Sequence, residues 1–164
     1  CTDDFVKYMS REGIRGRVLK RFTDVVDPLL LAGAEIEVIS HSWGTVIAYE
    51  ALRLKDSAAT PPGSVHNLFT VGSALSIGLV RQNLALRISG GDKPRIVDRW
   101  VNLDADYDPV GGRLKTSYAV DVDRLHLPAV GCTFIATPTC AHGSYFDKDN
   151  ALVNQDYFGF FISQ

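Results

Sequence analysis

The stretch EIEVISHSWGTVIAYEALRL, residues 35–54, decides the fold of this chain. It opens with a short run typical of a β-strand at 35–39, and apolar positions at helical spacing follow from Thr45 to Leu54. The five residues between them therefore join a strand directly to a helix. Such a sharp turn requires small residues two positions before and two after its centre, and Ser40 and Gly44 meet that requirement. Ser42 is then predicted to project its hydroxyl at the helix N-terminus, where backbone N–H groups stabilise negative charge.

Strands and helices alternate on both sides of this turn. Upstream, apolar residues at steps of three and four predict a helix over 14–30 whose buried face holds Ile14, Val18, Phe22, Val25 and Leu29. Asp27-Pro28 is expected to kink or restart that helix, and Gly33 to end it. Downstream, the pattern predicts strands at 68–71, 96–103 and 132–136, a weak strand or hairpin at 118–125, a helix capped by Ser73 and a closing helix over 151–162. This order predicts one α/β domain, residues 1–164, with a mainly parallel sheet covered by helices on both faces.

The composition is that of an ordinary globular domain. The chain has 164 residues, and its 17 Lys and Arg against 19 Asp and Glu give a net charge of −2. The lack of a basic surplus argues against nucleic-acid binding, and no apolar run approaches the ~18 residues of a membrane span. No leader-like segment opens the chain, which favours a cytoplasmic location.

Three cysteines are too few for a disulfide framework. Cys132 and Cys140 either form a local bridge or pack as two small side chains. The second interpretation is favoured for a chain without a secretory signal.

A serine hydroxyl needs a histidine base and an orienting carboxylate to act as a nucleophile near neutral pH. His41 is expected to point away from Ser42, His66 to lie in a loop, and His126 to be packed. His142 follows the last predicted strand, at the sheet edge where Ser42 lies, and is the predicted base.

The orienting carboxylate is sought in the acidic loop after the third predicted strand. Asp104, Asp106 and Asp108 have the spacing of a calcium loop, but the sixth position is Pro109 and the twelfth is Lys115, which excludes that site. Asp108 is the predicted acid and Asp104 the second choice, while the remaining carboxylate is expected to be solvated.

Together these residues resemble the C-terminal portion of an α/β-hydrolase of the lipase/esterase type. The chain order serine, aspartate, histidine is the order of that family. The stretches that carry the resemblance are residues 38–49, Phe69-Thr70-Val71-Gly72-Ser73, Trp100-Val101-Asn102-Leu103 with Asp108-Pro109-Val110, and His142-Gly143-Ser144-Tyr145-Phe146.

The resemblance implies a serine hydrolase that cleaves carboxylic esters through a Ser42, Asp108 and His142 triad and an acyl-enzyme intermediate. The backbone N–H of Trp43 is the implied oxyanion donor, and the implied substrate is a small-molecule or lipid ester. No cofactor or metal is implied. No glycine-rich phosphate-binding motif follows any predicted strand, which argues against a nucleotide-binding protein.

Two departures from the family pattern set further expectations. Ser40 stands where the family usually has Gly, which exchanges one small residue for another. The family also places several strands upstream of the serine turn, with a loop that supplies a second oxyanion N–H. This chain is therefore expected to lack those N-terminal strands, and either a missing N-terminal segment or a partner chain would complete its sheet. The alternative function is a non-catalytic hydrolase-like module for binding or interaction.

Overall fold

The architecture is an α/β fold built on four parallel strands, as the alternating pattern predicts. The computed structural model describes residues 2–132, 138–150 and 152–164. The strands lie in the sheet in chain order and are β1 (Glu35–His41), β2 (Ser64–Val71), β3 (Val97–Ala105) and β4 (Val122–Leu127).

Helices connect the strands and cover the sheet. They are α1 (Thr2–Ser10), α2 (Glu12–Leu31), α3 (Trp43–Leu54), α4 (Gly78–Ala85) and α5 (Pro138–Gly143), followed by a π-helical segment (Leu152–Gly159) that continues into the short α6 (Phe160–Ile162). Every helix within the described ranges is too short or too polar to cross a membrane.

Two apolar cores lie against the sheet, which agrees with the prediction of helices on both faces. The larger core joins α1–α4 to side chains such as Leu68 and Trp100, with the Tyr49 and Trp100 rings stacked 5.0 Å apart. The second joins the neighbouring side chains Phe69 and Val101 to the C-terminal helical segments. Adjacent residues of one strand point to opposite faces, so a single strand contributes to both cores.

The buried face of α2 matches the predicted face only in part. Val18 and Phe22 of the predicted face pack, partly buried, against the larger core. The helix buries Arg15, Leu19, Val26 and Leu30, whereas the predicted face residues Val25 and Leu29 are exposed. Arg15 is buried because it forms an ion pair with Glu50 of α3, with Nη2 lying 2.6 Å from Oε1. The Tyr8 hydroxyl of α1 donates to Oε2 of the same carboxylate at 2.7 Å. A charged residue therefore occupies a position that a purely apolar stripe does not include.

Several predicted boundaries also change. Pro28 lies inside α2, which continues to Leu31, and Gly33 ends the segment with a φ of 80°. Pro28 is exposed, so water can replace the one backbone hydrogen bond that a proline removes. Ser73 caps a 3₁₀ turn at Ala74–Ser76 rather than α4 itself, because its hydroxyl accepts the N–H of Leu75.

The predicted strand at 118–125 is displaced to β4, which begins at Val122, and it is a parallel strand rather than a hairpin. Cys132 is outside any strand, and residues 133–137 of the predicted strand at 132–136 lie outside the described residues.

The first strand lies at an edge of the sheet. β1 pairs with β2 on one side, and within the described ranges no strand pairs with its other side. Ile39 on this strand is 45% exposed. An unpaired strand with exposed apolar residues is a surface to which another strand can add.

Candidate active site

The turn between β1 and α3 holds Ser42 in an uncommon backbone conformation. Its φ is 55° and its ψ is −126°, a region that non-glycine residues rarely adopt. Its N–H donates to Val71 of β2 at 3.0 Å, and the Thr45 hydroxyl donates to its carbonyl at 2.7 Å. Ser40 is buried and donates its hydroxyl to Phe69 at 2.7 Å, so a serine fits where glycine was the family norm. Strain of this kind persists only where the surrounding structure fixes it, and such residues cluster at functional sites.

Asp108 and His142 lie in direct contact. His142 Nδ1 is 3.0 Å from both Asp108 carboxylate oxygens, and the Asp108 side chain is 0% exposed. Since a carboxylate only accepts, Nδ1 carries the proton and Nε2 is left as an acceptor in the neutral ring. The sequence-predicted acid and base thus occupy the positions that fix one histidine tautomer.

Asp108 is held by donors from three further groups. The N–H groups of Val110 and Gly111 donate to its Oδ1 at 2.8 and 3.1 Å, and the Tyr145 hydroxyl donates to its Oδ2 at 2.6 Å. Burial alone would raise the pKa of Asp108, but the hydrogen bonds from Tyr145, Val110, His142 and Gly111 outweigh burial and lower that pKa. Asp108 is therefore a carboxylate at neutral pH.

Gly72 leaves the space in which this pair meets. It follows β2 with a φ of 51°, and a Cβ placed on it would lie 2.6 Å from Asp108 Oδ2, 3.0 Å from Tyr145 and 3.1 Å from His142 Nδ1. A side chain at this position would collide with the acid, the base and the tyrosine together.

The Ser42 hydroxyl and His142, the predicted base, are not hydrogen-bonded to each other in the described part of the chain. In the described part of the chain no hydrogen bond connects the Ser42 hydroxyl to His142 Nε2, and the ring is bonded through Nδ1 alone. Catalytic hydrogen bonds are often long in free enzymes and shorten when substrate binds, so the absence of this bond does not by itself exclude a triad.

His41, the residue before Ser42, forms a hydrogen bond with α5, the helix that contains His142. Its Nε2 donates to the backbone carbonyl of His142 at 2.7 Å, and the two imidazole rings lie 4.5 Å apart. Burial lowers the pKa of His41 below its ordinary value, although the bond to the His142 carbonyl opposes that shift. His41 is therefore a tether between the residue next to Ser42 and His142, which the sequence did not indicate.

Asp104, the second choice for the acid, lies beside Asp108 without bonding to His142 among the described residues. Its Oδ1 is buried and has no hydrogen-bond partner in that part of the chain. Burial and, next, the charge of Asp108 raise the pKa of Asp104 to about 7. Asp108, the first choice, therefore contacts His142, the predicted base, whereas Asp104 does not in the structure as described.

The two remaining histidines depart from their predicted settings. His66 lies within β2 rather than in a loop, and it is 3.8 Å from the Glu35 carboxylate. His126 is exposed rather than packed, and its Nδ1 is 2.8 Å from Asp106 Oδ1. Neither contacts Asp108 or Ser42 in the structure as described.

Trp43 follows Ser42 as the first residue of α3. Its backbone N–H, the predicted oxyanion donor, therefore belongs to the first turn of this helix, directly after Ser42. The Trp43 ring packs edge-on against Tyr8 of α1 at 5.3 Å, which fixes the start of this helix.

Cys132 and Cys140 form a disulfide with Cα atoms 5.8 Å apart, so the favoured prediction of two unbonded side chains is wrong. That separation lies within the range a disulfide spans. Cys140 is in α5, two residues before His142, so the bridge ties the histidine helix to the end of the preceding loop.

Comparison with known proteins finds no matching family model, no matching curated protein and no matching solved structure.

Proposed function

We propose that this protein is a serine hydrolase that cleaves carboxylic esters. Ser42 attacks the acyl carbon, His142 Nε2 takes the serine proton and returns it to the leaving alcohol, and Asp108 holds the imidazole tautomer. The Trp43 N–H stabilises the oxyanion, and water then releases the acyl group from Ser42. The proposed substrate is a small-molecule or lipid ester.

One observation carries this proposal: the contact between a buried, ionised carboxylate and His142 Nδ1, at the sheet edge where a strained turn presents Ser42. The buried carboxylate stabilises the imidazolium that forms when the serine proton is taken. The Tyr145 hydroxyl and the Gly111 N–H keep Asp108 ionised and in place. The resemblance to the C-terminal portion of a lipase/esterase-type α/β-hydrolase supports the same assignment.

The proposed mechanism requires His142 Nε2 to come within hydrogen-bond reach of the Ser42 hydroxyl. His41 already bonds the His142 backbone at 2.7 Å, so the two segments are held together while the side chains rotate. The loss of one oxyanion donor lowers kcat by about 10²–10³-fold in other hydrolases, so the proposed mechanism also calls for a second donor beside the Trp43 N–H.

The test is labelling with a fluorophosphonate and hydrolysis of a short p-nitrophenyl ester. The wild type is expected to label at Ser42 and to turn over the ester, whereas Ser42→Ala should lose labelling and at least ~10³-fold in kcat. Ser57→Ala, which removes an exposed hydroxyl bonded only within its own turn, is the matched control and should keep both. A folded wild-type protein that neither labels nor hydrolyses the ester would refute catalysis.

A second candidate function, binding through strand addition without catalysis, is favoured by the unpaired side of β1. An apolar groove runs beside that strand, lined by Val18, Phe22, Val38, Ile39 and Ile47. A partner strand pairing along β1 would cover this groove. Light scattering after size-exclusion chromatography distinguishes the two functions, because an active monomer argues for the hydrolase and an inactive, self-associating chain for strand addition.

A further inference from the structure

We propose that Glu35, His66 and Asp98 form a binding site for a divalent transition-metal ion of the Zn²⁺ type. The three side chains belong to β1, β2 and β3 and lie near the amino ends of these strands. This edge of the parallel sheet is opposite the one that carries Ser42 and Asp108. The site is therefore separate from the candidate active site and does not depend on the proposed hydrolase activity.

The strand register brings the three residues to one face of the sheet. β2 pairs with β3 through Val65↔Val97 and Asn67↔Arg99, which places His66 level with Asp98. β1 pairs Glu35 with Ser64, two residues before His66 and on the same face, because side chains alternate along a strand. The β1–β2 register shifts between Ile36 and Glu37, so that His66 has no partner residue in β1. Irregularities of this type redirect a side chain from the regular ladder.

The distances suit three ligands that close on one ion. One ligand atom from each residue lies within 4.8 Å of the other two, and His66 Nδ1 is 3.8 Å from Glu35 Oε1. Metal–ligand bonds of about 2.0–2.2 Å place the ligand atoms of a tetrahedral zinc site roughly 3.3–3.6 Å apart. The widest pair must close by up to about 1.5 Å, which the exposed side chains of Glu35 and Asp98 can supply by rotation.

The charges of the cluster also fit a cation. Two carboxylates face one imidazole, and no Lys or Arg of the described residues forms a salt bridge with either carboxylate. Lys93 Nζ bonds the Asp98 backbone carbonyl at 2.7 Å and the Asp121 carboxylate at 2.9 Å instead of the Asp98 carboxylate. The Ser64 hydroxyl donates to Asp98 Oδ2 at 3.0 Å, an outer hydrogen bond of the kind that orients a ligating carboxylate.

The donor set selects the class of ion. Imidazole nitrogen is a ligand for Zn²⁺, Co²⁺ and Ni²⁺, whereas Ca²⁺ and Mg²⁺ prefer oxygen donors alone. Three protein ligands leave the fourth position of a tetrahedral ion to water. A bound ion would connect the first three strands at one end of the sheet.

Isothermal titration with ZnCl₂ tests the site, with Cys1→Ser as the parent chain so that its thiol cannot bind the metal. The parent is expected to bind one Zn²⁺, and the same protein should bind Ca²⁺ at least tenfold more weakly. His66→Gln and Asp98→Asn, on two different strands, should each weaken Zn²⁺ binding at least tenfold while circular dichroism shows a folded chain. Since both variants probe one site, one folded variant suffices if the other does not fold.

His126→Asn is the matched control, because His126 also pairs with one exposed carboxylate but has no third ligand among the residues that the structure describes. Its Zn²⁺ affinity should equal that of the parent. The proposal is overturned if the parent binds no Zn²⁺, if His66→Gln and Asp98→Asn bind as tightly as the parent, or if His126→Asn loses as much affinity as they do.

Discussion

Gly72 is the residue whose missing side chain makes the contact between Asp108 and His142 possible. Gly72→Ala is expected to destabilise the protein by about 1–3 kcal/mol. The backbone at residue 72 has a φ of 51°, and the new Cβ would lie 2.6 Å from Asp108 Oδ2. It should also lower ester turnover by displacing the acid or the base. Urea unfolding and the p-nitrophenyl ester assay measure the two effects. Gly143→Ala, beside His142 but with open space around its Cβ, is the control and should change stability by less than about 0.5 kcal/mol.

Asp104 makes the stability of the protein dependent on pH. Its folded pKa of about 7 lies above the ordinary value of 3.8, so the folded state holds a proton that the unfolded chain releases. This group therefore stabilises the folded state at acidic pH, and its contribution to the free energy of unfolding falls as the pH rises from about 4 to about 7. Besides Asp108, the charged groups that face this carboxyl are Asp106, Asp123 and His126.

Asp104→Asn removes this titration. Relative to the wild type, the variant should gain about 1–2 kcal/mol of unfolding free energy between pH 4 and pH 7.5, allowing for partial solvent screening. Urea unfolding at both pH values measures the difference. A pH-independent difference between the two proteins would contradict the assignment of this group.

At the scale of single residues, the sequence predicted Asp108 and His142 as site residues, but it did not predict the residues that hold these two side chains in place. Asp108 was predicted from the strand that it follows, and the structure places it after β3. His142 was predicted from a strand at 132–136, of which residues 133–137 lie outside the described residues, and the structure places it in α5. Tyr145 and Gly72 stood in the quoted family stretches without a predicted role, because a hydroxyl bonded across 37 residues leaves no periodic signal. His41 was dismissed as a base, and its tether to a backbone carbonyl cannot be read from spacing alone.

Among the elements, α1, α2 and α3 meet at a buried ionic cluster. Arg15 Nε donates to Glu50 Oε1 at 2.8 Å while the Tyr8 hydroxyl occupies Oε2, and Glu50 is 0% exposed. Arg15→Met should cost about 3–5 kcal/mol, because it leaves a buried carboxylate without its main partner. Lys20→Ala, which breaks an exposed pair with Asp24 one turn apart, should cost less than about 0.5 kcal/mol. Chemical unfolding of both variants compares these costs.

The same cluster explains why the residues that α2 buries differ from those that the apolar pattern predicts. A stripe of apolar residues through Ile14 and Val18 has helical spacing, but so does the stripe that begins at Arg15. Only the partner on α3, 35 residues away, decides that the arginine turns inward. The existence and length of the helix were therefore predictable, whereas its orientation depended on a tertiary contact.

The Cys132–Cys140 bridge stabilises the segment that carries His142. It closes a loop between residues eight apart, which in the chain-entropy model contributes about 2–3 kcal/mol. Cys132→Ser and reduction of the wild type should each lower the melting temperature and ester turnover, because α5 loses its covalent anchor. Cys1→Ser lies outside this bridge and should leave both unchanged. Equal melting temperatures for the oxidised and reduced wild type would show that α5 is held by packing alone.

For the molecule as a whole, alternating strands and helices were enough to predict a parallel sheet with two covered faces. The edge position of β1 was expected from the few elements upstream of Ser42. The bonding state of the cysteines and the displaced fourth strand were not predictable, because weak alternation and a short cysteine spacing are each compatible with more than one structure.

The long crossovers of this fold have a consequence for its biosynthesis. The tether from His41 to His142 spans 101 residues, and the Asp108–His142 contact spans 34. Contacts of such high sequence separation form late, since loop-closure entropy is lost before they yield any stabilisation. A nascent chain that has emerged only as far as Asp108 therefore lacks His142, so under the proposed mechanism its Ser42 gains a base only once the segment that carries His142 has folded.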